Sequence, residues 1–192
     1  MERAVVAAIE AEYRRYKAYA EGAFAQLSGD EVNARPNATS NSIAMIVWHM
    51  SGNLASRFTE FLTTDGEKSW RQREEEFAAR AVSKPECLAK WEAGWKVLFD
   101  TLATLTDADL GTTVYIRRQP LLVRDALLRS LAHASYHVGQ IVYVGKSLRG
   151  GAWDYLSIAP GQSDAYNREP TFEKPDAHVA RISGAMRPPA GA

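Results

Sequence analysis

Cysteine is almost absent: the 192 residues hold one, Cys87, so no disulfide can close within the chain. That fits a reducing compartment. A charge excess is absent too. Lys+Arg and Asp+Glu both number 23, giving a formal net charge of zero. A dedicated nucleic-acid binder needs a basic excess or a basic face to neutralise phosphates, and this balance argues against one. It gives no hint of attraction to a membrane surface. No apolar run approaches the roughly 18 residues of a membrane span. The opening Met1-Glu2-Arg3, followed by Glu10 and Glu12, lacks the basic start and unbroken apolar stretch of a signal peptide. A cytoplasmic protein with neither nucleic acid nor membrane as partner is expected. Asn37-Ala38-Thr39 matches the glycosylation sequon, but without a secretory signal it reads as chance.

What is present is an ordinary soluble composition, 46% hydrophobic and 24% charged, on a chain long enough for one domain with a sizeable core. No internal repeat is found. Residues 3–27 read as a helix rich in good helix formers, ended by Ser28-Gly29-Asp30, with Gly29 suited to a left-handed cap. A second helix is predicted at about 42–62, capped by Ser40 or Asn41. Its apolar residues Ile43, Ile46, Val47, Met50, Leu54, Phe58 and Phe61 recur at spacings of three and four. The charged stretch 67–80 allows a short helix. Ser83-Lys84-Pro85-Glu86 is a helix-start signal, and a third long helix follows to about 105 with Trp91 and Trp95 in its core face. The β-branched stretch Thr112 to Ile116 and the turn-like Arg117 to Pro120 allow a hairpin near 112–123. The fourth long helix covers about 124–148, ended by Gly150-Gly151. These patterns predict an all-α fold, a four-helix bundle with a short β-hairpin between the third and fourth long helices. Residues 1–169 are assigned to it and 170–192 to a loosely ordered tail in which His178 has no role.

Chemistry is expected at the histidines, of which there are only four. His133 and His137 sit one turn apart, about 40° around the same helix face, at the border of the apolar stripe. His49 borders the stripe of the second helix in the same way. If those helices are neighbours, the three imidazoles can close on one metal ion. Neutral imidazoles suit Zn²⁺, Ni²⁺, Fe²⁺ or Cu²⁺ better than Mg²⁺ or Ca²⁺, with Zn²⁺ or Ni²⁺ expected first, and three protein ligands leave a position for water or substrate. The glutamate of H-E-x-x-H is missing from His133-Ala134-Ser135-Tyr136-His137, which argues against a zinc protease of that type.

Asn53 and Arg57 follow His49 at one-turn steps, and Gln140 continues the row of His133 and His137. All three are candidates to orient a ligand or substrate, against a plainer reading as helix-packing and surface groups. The run from Asp65 through Glu76 reads as a solvated charged face. A second reading makes it a lid, anchored by Trp70 and Phe77, that meets an anionic substrate through Arg71 or Arg73. Cys87 lies in the first turn of the third helix, where the dipole could lower its pKa, though a buried idle thiol is the plainer reading.

Three stretches carry a family resemblance. They are Trp48-His49-Met50-Ser51-Gly52-Asn53-Leu54-Ala55-Ser56-Arg57-Phe58 with the following Asp65-Gly66-Glu67-Lys68 and Trp70-Arg71-Gln72-Arg73, then His133 to Val142, then Trp153 to Asn167. Over about residues 5–167 the chain resembles an uncharacterised subgroup of the DinB-like (damage-inducible) superfamily of metal-binding four-helix bundles. The resemblance implies that fold, a metal held by His49, His133 and His137, and a homodimer. Characterised relatives include transferases and isomerases that use low-molecular-weight bacterial thiols, so it points to a small-molecule substrate and a thiol co-substrate. Three readings stand. The first is a metal-dependent enzyme, for which the resemblance implies that thiol-dependent class. The second is a non-catalytic metal- or ligand-binding stress-response protein using the same pocket. The third is a structural bundle whose histidines only pack.

Overall fold

The structure, a computed structural model, describes residues 2–185. Those residues form eight α-helices and one two-stranded antiparallel sheet. Four helices are long: α1 (Ala4–Gln26), α3 (Ile43–Phe58), α5 (Lys84–Thr104) and α6 (Val123–Arg149). Helix α3 lies along α5 and also touches α6, while α1 lies along α6 and touches α5. Between them Tyr13, Phe24, Met50, Leu54, Trp91, Trp95 and Leu98 are fully buried, which accounts for the expected apolar stripes. No helix of the described residues is long and apolar enough to cross a membrane.

The short helices are α2 (Gly29–Asn33), α4 (Arg73–Glu76), α7 (Ser163–Arg168) and α8 (Pro175–Ala185). Gly29 is not the left-handed cap of α1. Ser28 instead starts α2: its hydroxyl accepts from Glu31 N and the Glu31 carboxylate accepts from Ser28 N, a closed capping box. The cap of α3 is Ser42 rather than Ser40 or Asn41, its hydroxyl accepting from Met45 N. Helix α3 also stops at Phe58, short of residue 62, where the Thr101 hydroxyl takes the Phe58 carbonyl.

The hairpin forms as the sequence allowed. Strand β1 (Thr113–Ile116) pairs with β2 (Gln119–Leu122), opening straight into α6. Its turn residues Arg117 and Arg118 both hold positive φ, 54° and 62°, a conformation that glycine or asparagine usually fills. Asp65 holds them there. Its carboxylate accepts from the backbone N–H of Arg117 at 2.8 Å and Arg118 at 2.6 Å, and Gly66 N donates to Tyr115 O. The hairpin is thereby fixed to the loop after α3.

The end of the chain departs from the expected loose tail. Helix α8 packs on α1, burying Ile182 and His178. Gly22 makes the approach possible, since a Cβ there would stand 2.9 Å from Ile182 Cγ2. His178, expected to be idle, sends Nε2 to the Leu156 carbonyl at 2.9 Å and meets the Tyr19 ring edge-on. Burial of an isoleucine contributes about 1.5–3 kcal/mol toward holding a helix that composition alone would leave free. The remainder of the expected tail, 186–192, lies outside the described residues.

Candidate metal centre

Helix α3 presents His49 and α6 presents His133 and His137 to one point between the two helices. One nitrogen from each imidazole lies within 4.8 Å of the others. The Nε2 atoms of His49 and His133 are 3.2 Å apart. Two nitrogens bound to one tetrahedral zinc at normal Zn–N lengths stand about 3.3 Å apart, so this pair already has a chelating separation.

The outer nitrogens fix which atoms face inward. His49 Nδ1 lies 2.9 Å from Glu76 Oε2, and an ionised carboxylate only accepts, so the proton sits on Nδ1. With its proton at Nδ1, a neutral His49 ring turns the Nε2 lone pair toward His133. His137 Nδ1 lies 2.8 Å from Gln140 Oε1, which sets its tautomer in the same sense. His133 Nδ1 is buried with no partner. Convergent imidazole lone pairs in a partly dry pocket repel one another unless a cation or proton lies between them. The donor set thus fits a late first-row divalent ion.

Burial favours the neutral rings of His133 and His137. Burial, then the charges of His137 and His49 and the nearby Arg71 and Arg57, push His133 down to about 3. Burial also lowers His137, against the Gln140 contact. Glu76 is pushed up by burial, but hydrogen bonds from Arg71 and His49 outweigh that and hold it below its ordinary value.

Glu76 is the residue that the reading of a solvated charged face missed. Glu74 does lie in solvent, but Glu76 is 7% exposed. Arg71 Nε and Nη2 each reach a Glu76 oxygen at 2.8 Å, so a guanidinium, a carboxylate and the His49 ring form one buried chain. Arg71 is therefore not a free lid residue. Its side chain is 2% exposed and engaged in holding Glu76. Gly52 makes room for this arrangement: a Cβ there would fall 2.1 Å from Glu76 Oε1. A glycine inside an otherwise apolar helix was the one available sign of a close approach. Phe77 stacks on the His49 ring at 4.6 Å, as an anchor of this segment should, while Trp70 stays largely exposed.

A cavity of about 290 Å³ opens onto the three histidines. Asn53 and Arg57 line it, as does Arg73, whose guanidinium lies over the Phe77 ring. Gln140 supports His137 from the side. Arg57 is also tied to Glu67 and the Gly66 carbonyl. Two further charged cavity residues went unrecognised in the sequence, Arg117 from the hairpin turn and Arg129. Arg129 stands one turn before His133 and so belongs to the same row on α6. Cys87 takes no part. It is buried in α5, and burial followed by the charge of Glu86 pushes its thiol up to about 11, against the lowered value that the helix dipole suggested.

No curated protein matches this sequence. The crystal structure of a conserved protein from Enterococcus faecalis is similar, with a TM-score of 0.57 and 19% identity. The match covers 78% of this chain and 99% of that one, and at this identity it speaks for the fold alone. The model of one family, a protein of unknown function (DUF1572), matches residues 1–162, and the chain belongs to that family.

Proposed function

We propose that this chain is a DinB-like four-helix bundle that holds a divalent transition metal on His49, His133 and His137 and uses it as a metal-dependent enzyme. The observation that carries the reading is the convergence of three imidazoles, two of them oriented by Glu76 and Gln140, on the floor of an open cavity. Purely structural histidines would be expected to spend both ring nitrogens on the protein and have no cavity above them. We take Zn²⁺ or Ni²⁺ as the ion, with Fe²⁺ next, from among the late first-row ions that imidazoles suit. Such an ion, bound by three protein ligands, supplies a Lewis acid with an open position that lowers the pKa of a thiol or water placed there.

The chain's own residues divide the remaining work. Glu76 and Arg71 orient His49, and Gln140 orients His137. Asn53 and Arg57 line the space a substrate would occupy. The resemblance supports thiol-dependent transfer or isomerisation, a homodimer and a cytoplasmic location. The exposed Leu128, Tyr136 and Tyr143 on α6 suit a contact between two copies.

A second reading, a non-catalytic metal- or ligand-binding protein of stress response, is favoured by one feature. Among the described residues no carboxylate, lysine or cysteine lines the cavity as a general acid or base. Protein loaded with zinc or nickel, screened against thiol and electrophile pairs, separates the two. Turnover that a chelator abolishes supports the enzyme. Metal-dependent stability with no turnover supports the binding protein.

A further inference from the structure

We infer that the cavity above the three histidines takes a small organic anion, a carboxylate on an apolar body, whose charge is held by Arg129 and Arg73. The inference rests on the proposed function in treating this cavity as the working site, and it deepens that reading by naming the substrate class.

The first ground is charge. The chain as a whole is neutral, yet Arg57, Arg71, Arg73, Arg117 and Arg129 all line this one cavity. Among the described residues no Asp or Glu lines it. Arg57 and Arg117 share the single carboxylate of Glu67. Arg71 has Glu76, and Arg73 has Glu74, whose side chain is 88% exposed. Arg129 has no ion pair among the described residues. Five guanidinium groups thus face three carboxylates, a surplus of two positive charges around one cavity. Arg71 Nη1 is also buried without an acceptor. Guanidinium forks match carboxylates with paired hydrogen bonds, and a cluster of like charges lining one cavity raises the local concentration of anions.

The second ground is the other wall. Phe58, Phe61, Phe77 and Ile116 line the same cavity. An inorganic anion would leave these rings against water, while an apolar body covers them. The volume of about 290 Å³ admits a molecule of the size of a single substituted ring or a short chain.

The test titrates benzoate, its neutral counterpart benzamide, and inorganic phosphate into the full chain by calorimetry. Metal-free and zinc-loaded protein are both used, beside Arg129→Gln and Arg73→Gln. Both arginines are exposed, so the variants should keep the parent melting temperature. Benzoate is expected to bind at least about tenfold more tightly than benzamide and more tightly than phosphate, and each variant to lose about tenfold for benzoate alone. Equal affinity for benzoate and benzamide, no binding of either, or benzoate binding that both variants leave intact would overturn the inference. Phosphate binding ahead of benzoate would overturn the organic body. Zinc uptake without benzoate binding removes the anion site and leaves the metal reading standing. Benzoate binding that depends on Arg129 in a chain that takes up no zinc does the reverse.

Discussion

His49 Nδ1 and Glu76 Oε2 stand 2.9 Å apart although 27 positions separate them in the chain. That contact joins two elements of opposite character, the apolar helix α3 and the charged segment carrying α4. It also decides the chemistry of the far side of the ring, because a proton held at Nδ1 leaves Nε2 free to face His133.

Glu76→Gln should weaken metal binding about 10–100-fold, the usual effect of losing a carboxylate behind a metal-ligating histidine. A zinc titration against a competing chelator measures it. The variant should also melt earlier, because Arg71 keeps a buried charge without its counter-ion.

Gly52→Ala separates that role from helix stability. Alanine favours an exposed helix interior over glycine by about 1 kcal/mol. Here its Cβ would meet Glu76 Oε1 at 2.1 Å and Cδ at 2.7 Å, so the carboxylate must leave its place. Helix content by circular dichroism should hold while zinc affinity falls as it does for Glu76→Gln. An unchanged affinity would show that Glu76 does not support the site.

Much of this was legible before the structure. A helix advances by a constant angle, so the spacing of His133 and His137 and the apolar stripe around His49 were enough to place all three on inward-bordering faces. The same rule covers Gln140. Glu76 was not legible, because α4 has only four residues and no period to read. Its burial depends on Gly52 and Arg71, and both relations exist only once the chain has folded. The start of α1 is another such case. Arg3 offers no side-chain cap, and the orphan N–H groups of Val5 and Val6 find Asp107, about a hundred residues on. Helix α8 was missed because its small and polar composition resembles a tail, and Ile182 and His178 anchor it only through a slot left by Gly22. The capping box at Ser28 and Glu31 could have been read, since both residues stand at the required spacing.

Acid should destabilise the metal-free protein. Burial holds His133 and His137 below their ordinary values, so both stay neutral in the native state while the unfolded chain protonates them near pH 6.5. Below that pH the unfolded state binds more protons, and stability falls as pH falls. The lowered Glu76 adds a loss in the same direction below about pH 4.5. The melting temperature of chelator-treated protein should drop between pH 7 and pH 5, and His133→Ala should reduce the slope. A flat profile would contradict the neutral buried imidazoles.

Asp65→Ala should loosen the hairpin that brings Ile116 and Arg117 to the cavity. The change removes the acceptor for the N–H groups of Arg117 and Arg118, which hold positive φ at a cost of about 1–2 kcal/mol each. A loss of about 1 kcal/mol in global stability is expected. Amide exchange should accelerate in residues 113–122 while α3 and α6 stay protected, and uniform exchange across all three would count against this assignment.

The central claim is that His49, His133 and His137 hold one metal ion. Elemental analysis of the protein purified without a histidine tag, beside His133→Ala prepared identically, tests it most directly. One equivalent of zinc, nickel or iron per chain is expected in the parent after incubation with the ion, with little in the variant. No metal in either, or equal metal in both, would contradict the account.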